Sequence, residues 1–265
     1  VSMVLATLKN WKDGASAVYQ ALGPPYHQWA ELFPPLQKRV VAAAQSVNAR
    51  YVSLENLYMY GDPKGQVVTE ESPIQTHTRK GKLRQKMASE LKTLSDNGDL
   101  RLATARASSY FGPRAGWQSP LGERVIGRAI QGKSAQVIGD PDARHSFTYT
   151  KDAGRVLATL GSEDRSLGEI WHIPNAPALT VREMVKLIGN KLDREIKVSP
   201  APAVVLKVMG LWNPTIRELQ EMLYTVESDY IAESSKFTDA FGLQATPTNQ
   251  AIAETVDDWL QVGGS

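Results

Sequence analysis

Ser53-Leu54-Glu55-Asn56-Leu57-Tyr58-Met59-Tyr60-Gly61 follows the run Arg50-Tyr51-Val52, and the stretch reads as a strand that breaks at its carboxyl end into a glycine turn. Two more blocks follow in order. The first is Thr78-Arg79-Lys80-Gly81-Lys82, and the second is Arg106-Ala107-Ser108-Ser109-Tyr110-Phe111-Gly112-Pro113. Between them, Leu83, Met87, Leu91 and Leu94 fall on one stripe of a helix predicted from about Thr76 to Leu94, which Asn97-Gly98 would end. Leu100–Ala105 then reads as the next strand. Upstream, Leu36, Val40, Ala43, Ala44 and Val47 recur at helical spacing. Before them Ala15–Leu22 reads as a buried strand that stops at Gly23-Pro24-Pro25. Strands alternating with helices in this way predict an α/β fold with a doubly wound parallel sheet, whose ligands sit at the carboxyl ends of the strands.

Beyond Pro113 the pattern changes: glycine and proline become frequent, and short extended segments such as Ala135–Gly139 interrupt the helices. Thr180-Val181-Arg182-Glu183 is a capping box, which predicts a helix to about Leu192. Further helices are expected within Pro202–Trp212, Ile216–Tyr224 and Thr248–Leu260, so the C-terminal part reads as a smaller, mostly helical domain. The expected boundaries are 1–113 with 151–175 for the first domain and 114–150 with 176–262 for the second.

Composition narrows the function. With 42% hydrophobic and 22% charged residues, the 265-residue chain has an ordinary globular make-up. Its net charge of +2 is too small to point to a nucleic-acid partner. No apolar run is long enough for a membrane span, and no signal-peptide pattern is present, so a cytoplasmic setting is expected. The absence of cysteine removes thiol catalysis and Cys-ligated zinc. His27, His77, His145 and His172 lack metal-ligand spacing, so no metal site is expected.

In order and spacing, the three blocks resemble the extended short-chain dehydrogenase/reductase family, the NAD(P)-dependent epimerases and dehydratases. That resemblance implies a Rossmann-like domain carrying NAD or NADP, a second domain for a small-molecule substrate, and possible pairing into a homodimer through the helices at Leu36–Val47 and Thr76–Leu94. It places the dinucleotide at strand ends near Ala21, Leu22, Gly23, Leu54, Glu55, Ala107 and Ser108, with Lys82 on the nicotinamide ribose. It places catalysis at Thr78, Lys82 and Asn56, where the family has Tyr, Lys and Ser or Thr. Ser109 and His145 fall at substrate-contact positions, the latter where the family has a phosphate-binding Arg. The segment His145–Asp152 resembles a later family motif, in which Asp152 is expected to cap a helix.

The departures matter chemically. A Thr hydroxyl is far too weak an acid to replace a Tyr phenol, although Thr78 and Lys82 keep the four-residue spacing that shares a helix face. Asn56 can hold a substrate oxygen but relays a proton poorly. Tyr26 and Tyr58 are the candidate substitute phenols, and the stiff Pro24-Pro25 loop presents Tyr26 and His27 either to a ligand or as an aromatic plug. A neutral His grips a diphosphate less well than a bidentate Arg, which argues against a nucleotide sugar. No Gly-x-Gly-x-x-Gly cluster occurs. On the family pattern roughly 60 residues, two βαβ-sized pieces, would precede this sequence, and a fragment of a longer protein is the favoured explanation. Two functions are therefore open. One is an oxidoreductase, epimerase or dehydratase acting on a small carbonyl or hydroxyl compound; the other is a non-catalytic dinucleotide sensor or interaction module.

Overall fold

The computed structural model describes residues 14–116, 119–201 and 220–262, together with 212 and 218. Its chain divides into two compact units. One comprises residues up to Gly61 with Pro73–Arg106 and Arg155–Trp171; the other comprises Asp62–Ser72, Ala107–Gly154 and the residues from His172 onward.

Among the described residues the first unit is built on a four-stranded sheet: β1 (Ala17–Gln20), β2 (Arg50–Asn56), β3 (Leu102–Ala107) and β4 (Ile170–His172), side by side in that order. β1 and β2 run parallel, from Ala17 opposite Arg50 to Gln20 opposite Ser53. Parallel neighbours need a crossover, and helices α1 (Trp29–Ser46) and α2 (Arg79–Asp96) lie between the strands in sequence. Val18, Val40, Val41, Ala44, Tyr51, Leu91 and Leu102 make the shared core. Each Val or Leu among them, fully buried, contributes about 1.5–3 kcal/mol. β1 is less buried than its sequence suggests: Val18 and Gln20 face inward while Tyr19 is half exposed, the alternation of a strand covered on one face.

α1 begins seven residues before the predicted stripe and carries Pro34 and Pro35 inside it. Those prolines cannot donate to the carbonyls of Ala30 and Glu31, both exposed residues, so water can take the missing place. α2 also departs from expectation. Thr78 is its N-cap, Asn97 its C-cap, and Gly98 at φ 78° turns the chain away. Its buried face is Lys80, Gly81, Arg84, Met87 and Leu91, so the expected stripe is rotated, leaving Leu83 and Leu94 only partly covered.

Among its described residues the second unit holds three two-stranded ladders: Ser109–Phe111 with Phe147–Tyr149, Ala135–Ile138 with Val198–Ala201, and Arg144–His145 with Leu179–Thr180. Phe111, Leu121, Ile126, Phe147, Ile188 and Ile252 belong to its core. After helix α3 (Thr150–Ser162), helix α4 (Val181–Lys191) opens on the predicted capping box with both reciprocal bonds formed. Helix α5 spans Thr248–Val262. Asp152 does not end where expected: it lies in the first turn of α3 and accepts from Thr246 N–H and Oγ1–H, each at 2.7 Å, tying down the approach to α5. The helices expected within Pro202–Trp212 and at the start of Ile216–Tyr224 lie outside the described residues. No helix among the described residues is long and apolar enough to cross a membrane.

Candidate functional site

Within the first unit, chemistry gathers where β2 ends. Glu55 is almost wholly buried on the last turn of the strand, and a carboxylate there needs partners. Arg106 on β3 supplies one through Nε at 3.1 Å, and Arg84 on α2 approaches the other oxygen at 3.6 Å. Arg106 also donates to the Tyr60 hydroxyl at 2.7 Å, and Ser53 Oγ–H to Glu55 at 3.3 Å. The network pins the turn Leu57–Gly61. Gly61 sits at φ 76°, where a Cβ would lie 2.7 Å from the Gln75 carbonyl oxygen, so only glycine fits.

That turn presents Asn56 and Tyr58. Asn56 Oδ1 accepts from the Tyr58 N–H at 3.3 Å, which leaves its amide N–H groups for another acceptor. The Tyr58 and Tyr26 hydroxyls lie 2.7 Å apart in a direct phenol–phenol hydrogen bond. Tyr26 is supported by Trp29, whose ring centroid is 4.8 Å away and whose indole N–H donates to Pro24 O at 2.8 Å. Burial raises the Tyr26 pKa, and the bond to Tyr58 partly opposes that. The proline loop thus holds Tyr26 half-buried against Trp29 and Tyr58, while His27 is exposed.

Three residues of the α2 start take different places. Thr78 is buried, and its Oγ1 accepts from Gly81 N–H at 3.0 Å as a cap. Lys82 is exposed. Lys80, by contrast, is 3% exposed with Nζ 5.5 Å from the Tyr26 ring centroid. No local signal marks Lys80, because its burial depends on Tyr26, far away in sequence. Ala21, Leu22 and Gly23 are exposed just after β1, and a Cβ at Gly23 would meet nothing nearer than Phe33 Cζ at 3.9 Å. Leu54 is partly covered. Open backbone at a strand end and the exposed Lys82 ammonium are a donor set that fits a dinucleotide's phosphates and ribose.

In the second unit, the structure joins two residues that the sequence flagged separately. His145 Nε2 lies 2.8 Å from Ser109 Oγ and 3.5 Å from Ser108 Oγ. His145 is buried between Phe147 and Tyr230, which pushes its pKa down to about 4 and keeps the ring neutral at pH 7. Its Nδ1 is buried without a hydrogen bond of good geometry, the Thr225 backbone only weakly opposing the burial effect. Ser108 N–H donates to Thr148 Oγ1 at 3.0 Å, and Thr148 Oγ1–H donates to Asn175 Oδ1 at 2.7 Å. Ala107, just before, is buried.

Residues 35–173 match the profile of the NAD dependent epimerase/dehydratase family. Among solved structures, the epimerase Mth375 of Methanothermobacter thermautotrophicus is similar with a TM-score of 0.76 at 15% identity, over 99% of this chain and 76% of that one. The dTDP-glucose 4,6-dehydratase DesIV of Streptomyces venezuelae, with NAD bound, gives 0.74 at 16% identity over 98% and 77%. The UDP-glucuronic acid 4-epimerase of Bacillus cereus, in complex with NAD, gives 0.73 at 13% identity over 97% and 77%. Identities this low speak for the shared fold alone. A comparison with curated proteins finds no match.

Proposed function

Since the chain belongs to the NAD dependent epimerase/dehydratase family, we propose that it binds NAD or NADP and acts on a small carbonyl or hydroxyl compound. The nicotinamide, when bound, gives or takes a hydride. The residues of this chain bind, orient and move the proton. Ala21–Gly23 and Leu54–Glu55 hold the dinucleotide at the strand ends of the first unit, and the exposed Lys82 ammonium donates to the ribose. Asn56 donates its free amide N–H to the substrate oxygen. Thr78 serves by fixing the first turn of α2, from which Lys80 and Lys82 project.

The observation that carries this reading is the Tyr26–Tyr58 hydroxyl pair, 2.7 Å apart and next to Asn56 in the chain. With the Tyr58 hydroxyl donating to the Tyr26 oxygen, the Tyr26 O–H is the one that protonates a substrate oxygen. The charge that appears on the pair is then shared between two oxygens, with the Lys80 cation beside the Tyr26 ring. A positioned general acid contributes about 10²–10⁴-fold. Tyr26→Phe and Tyr58→Phe are therefore expected to lower kcat for NADPH oxidation, measured with a panel of aldehydes and ketones, by roughly 10²-fold or more. NADPH affinity, followed by fluorescence titration, should stay close to wild type. Full activity in both variants would remove the phenol pair from the chemistry.

A second reading has one observation in its favour. The Thr78 oxygen, at the family's catalytic tyrosine position, is spent on capping. Firm NADPH binding with no turnover on any carbonyl would select this reading, a dinucleotide sensor on the same fold.

A further inference from the structure

We propose that Ser109 and His145 form an uncharged dyad that receives a neutral oxygen function of the substrate, a hydroxyl or a carbonyl, and selects against a phosphate at that position. The inference rests on the reading above for the existence of a substrate, and it deepens that reading by naming the substrate's class: an uncharged polyhydroxy carbonyl compound.

The geometry is that of a direct hydrogen bond whose direction the imidazole tautomer sets. Ser109 Oγ and His145 Nε2 are 2.8 Å apart, and Ser109 is partly exposed while His145 is buried behind it. A neutral imidazole can carry its proton on either nitrogen. With the proton on Nε2, His145 donates to Ser109, whose own O–H is released to meet a carbonyl. With the proton on Nδ1, Ser109 donates to Nε2, and its lone pairs accept from a hydroxyl. The pair therefore accommodates both an acceptor-only carbonyl and a donating alcohol without acquiring charge. The neighbouring hydroxyl offers no such freedom, since Thr148 already accepts from Ser108 N–H and donates to Asn175.

A phosphate would meet poor company here. Burial between Phe147 and Tyr230 keeps the imidazole neutral. The adjacent guanidinium of Arg144 is committed to Asp229, at 2.9 Å through Nε and 2.8 Å through Nη2. Among the described residues, no cation lies within hydrogen-bond reach of either member of the dyad. A dianion placed there would lose its hydration and gain one or two neutral hydrogen bonds.

Dihydroxyacetone and dihydroxyacetone phosphate differ by one charged group and make the test. Binding of each is measured by saturation-transfer NMR in the presence of NADPH, on wild type, Ser109→Ala and His145→Arg, with NADPH oxidation recorded in parallel. Wild type should bind the neutral ketose roughly tenfold more tightly than its phosphate ester. Ser109→Ala should weaken the neutral ligand about fivefold, the worth of one neutral hydrogen bond. His145→Arg should invert the preference. Tighter binding of the phosphate by wild type, an unchanged affinity in Ser109→Ala, or binding of neither ketose would each overturn the dyad. Discrimination in the NMR without NADPH oxidation would keep the subsite and instead remove the hydride-transfer reading.

Discussion

Glu55 shows how much of this site is decided by a single side chain. It is one carboxylate set against two guanidiniums, all three nearly inaccessible to water. Breaking a buried ion pair by removing one partner costs on the order of 3–5 kcal/mol, because the survivor is left charged and dry. Glu55→Gln should therefore lower the urea midpoint by that equivalent, with the slope of the transition unchanged. The same substitution at Glu183, in an exposed capping box, should cost at most about 1 kcal/mol. If the two variants proved equally mild, the Glu55 network would not be what holds the turn. His145 gives a second residue-scale expectation. Its folded pKa of about 4 lies below the ordinary 6.5, so the unfolded chain takes up a proton that the folded chain refuses. Stability from this source is complete above pH 6.5 and is lost as pH falls toward 4, a loss on the order of 3 kcal/mol. His145→Gln should flatten the dependence of the denaturation midpoint on pH over that window.

At the scale of elements, the start of α2 is held by contacts too close for substitution. A Cβ on Gly81 would lie 2.6 Å from the Tyr58 carbonyl oxygen and would run into the Thr76 side chain. Gly81→Ala gains helix propensity but forces α2 away from the Tyr58–Tyr60 turn, and overpacking of this kind costs about 1–3 kcal/mol. A lowered melting temperature together with reduced NADPH turnover is the expected outcome; an alanine variant as stable as wild type would contradict the packing. Thr78→Ala should cost about 1 kcal/mol as a lost cap, while Thr78→Ser should retain most of it. What was legible in the sequence at this scale is what local rules govern. The Thr180–Glu183 box, the Asn97-Gly98 stop and the strand at Arg50 depend on neighbours within a few positions, and all three are as read. Lys80 and Arg84 were not legible, because a basic residue on a helix is buried only if distant partners, here Tyr26 and Glu55, come to meet it. Asp152 was misjudged for the same reason: its ligand is Thr246. The Ser109–His145 pair could be named but not joined, since only the second unit's folding brings together residues 36 positions apart.

At the scale of the whole molecule, acid should act in two stages with different sensitivities to salt. Glu254, held down to about 2 by Lys151, Tyr149 and Gln250, contributes stability that is complete above its ordinary value of 4.5 and is lost as pH falls toward 2. Glu254 is only partly buried and its partner Lys151 is exposed, so salt screens the interaction and the contribution is modest. The loss linked to His145 arises from burial and comes first, between pH 6.5 and 4. Adding sodium chloride should therefore shift the lower limb of a stability–pH curve and leave the upper limb in place. A single transition equally sensitive to salt throughout would count against this order.

Trp29 gives the molecule an optical gauge of its own candidate site. Its indole lies with ring centroids 4.8 Å from Tyr26, 5.3 Å from Phe33 and 6.2 Å from Tyr58, and its N–H is fixed to Pro24 O. Both phenols of the pair can pass excitation to that one indole over these distances. A bound reduced nicotinamide, which absorbs where tryptophan emits, would drain it. The chain carries 6 tryptophans, so the emission lost on Trp29→Phe isolates this reporter from the rest. The aromatic packing that supports the phenol pair thus also makes its occupancy visible as colour and intensity of light, without any label.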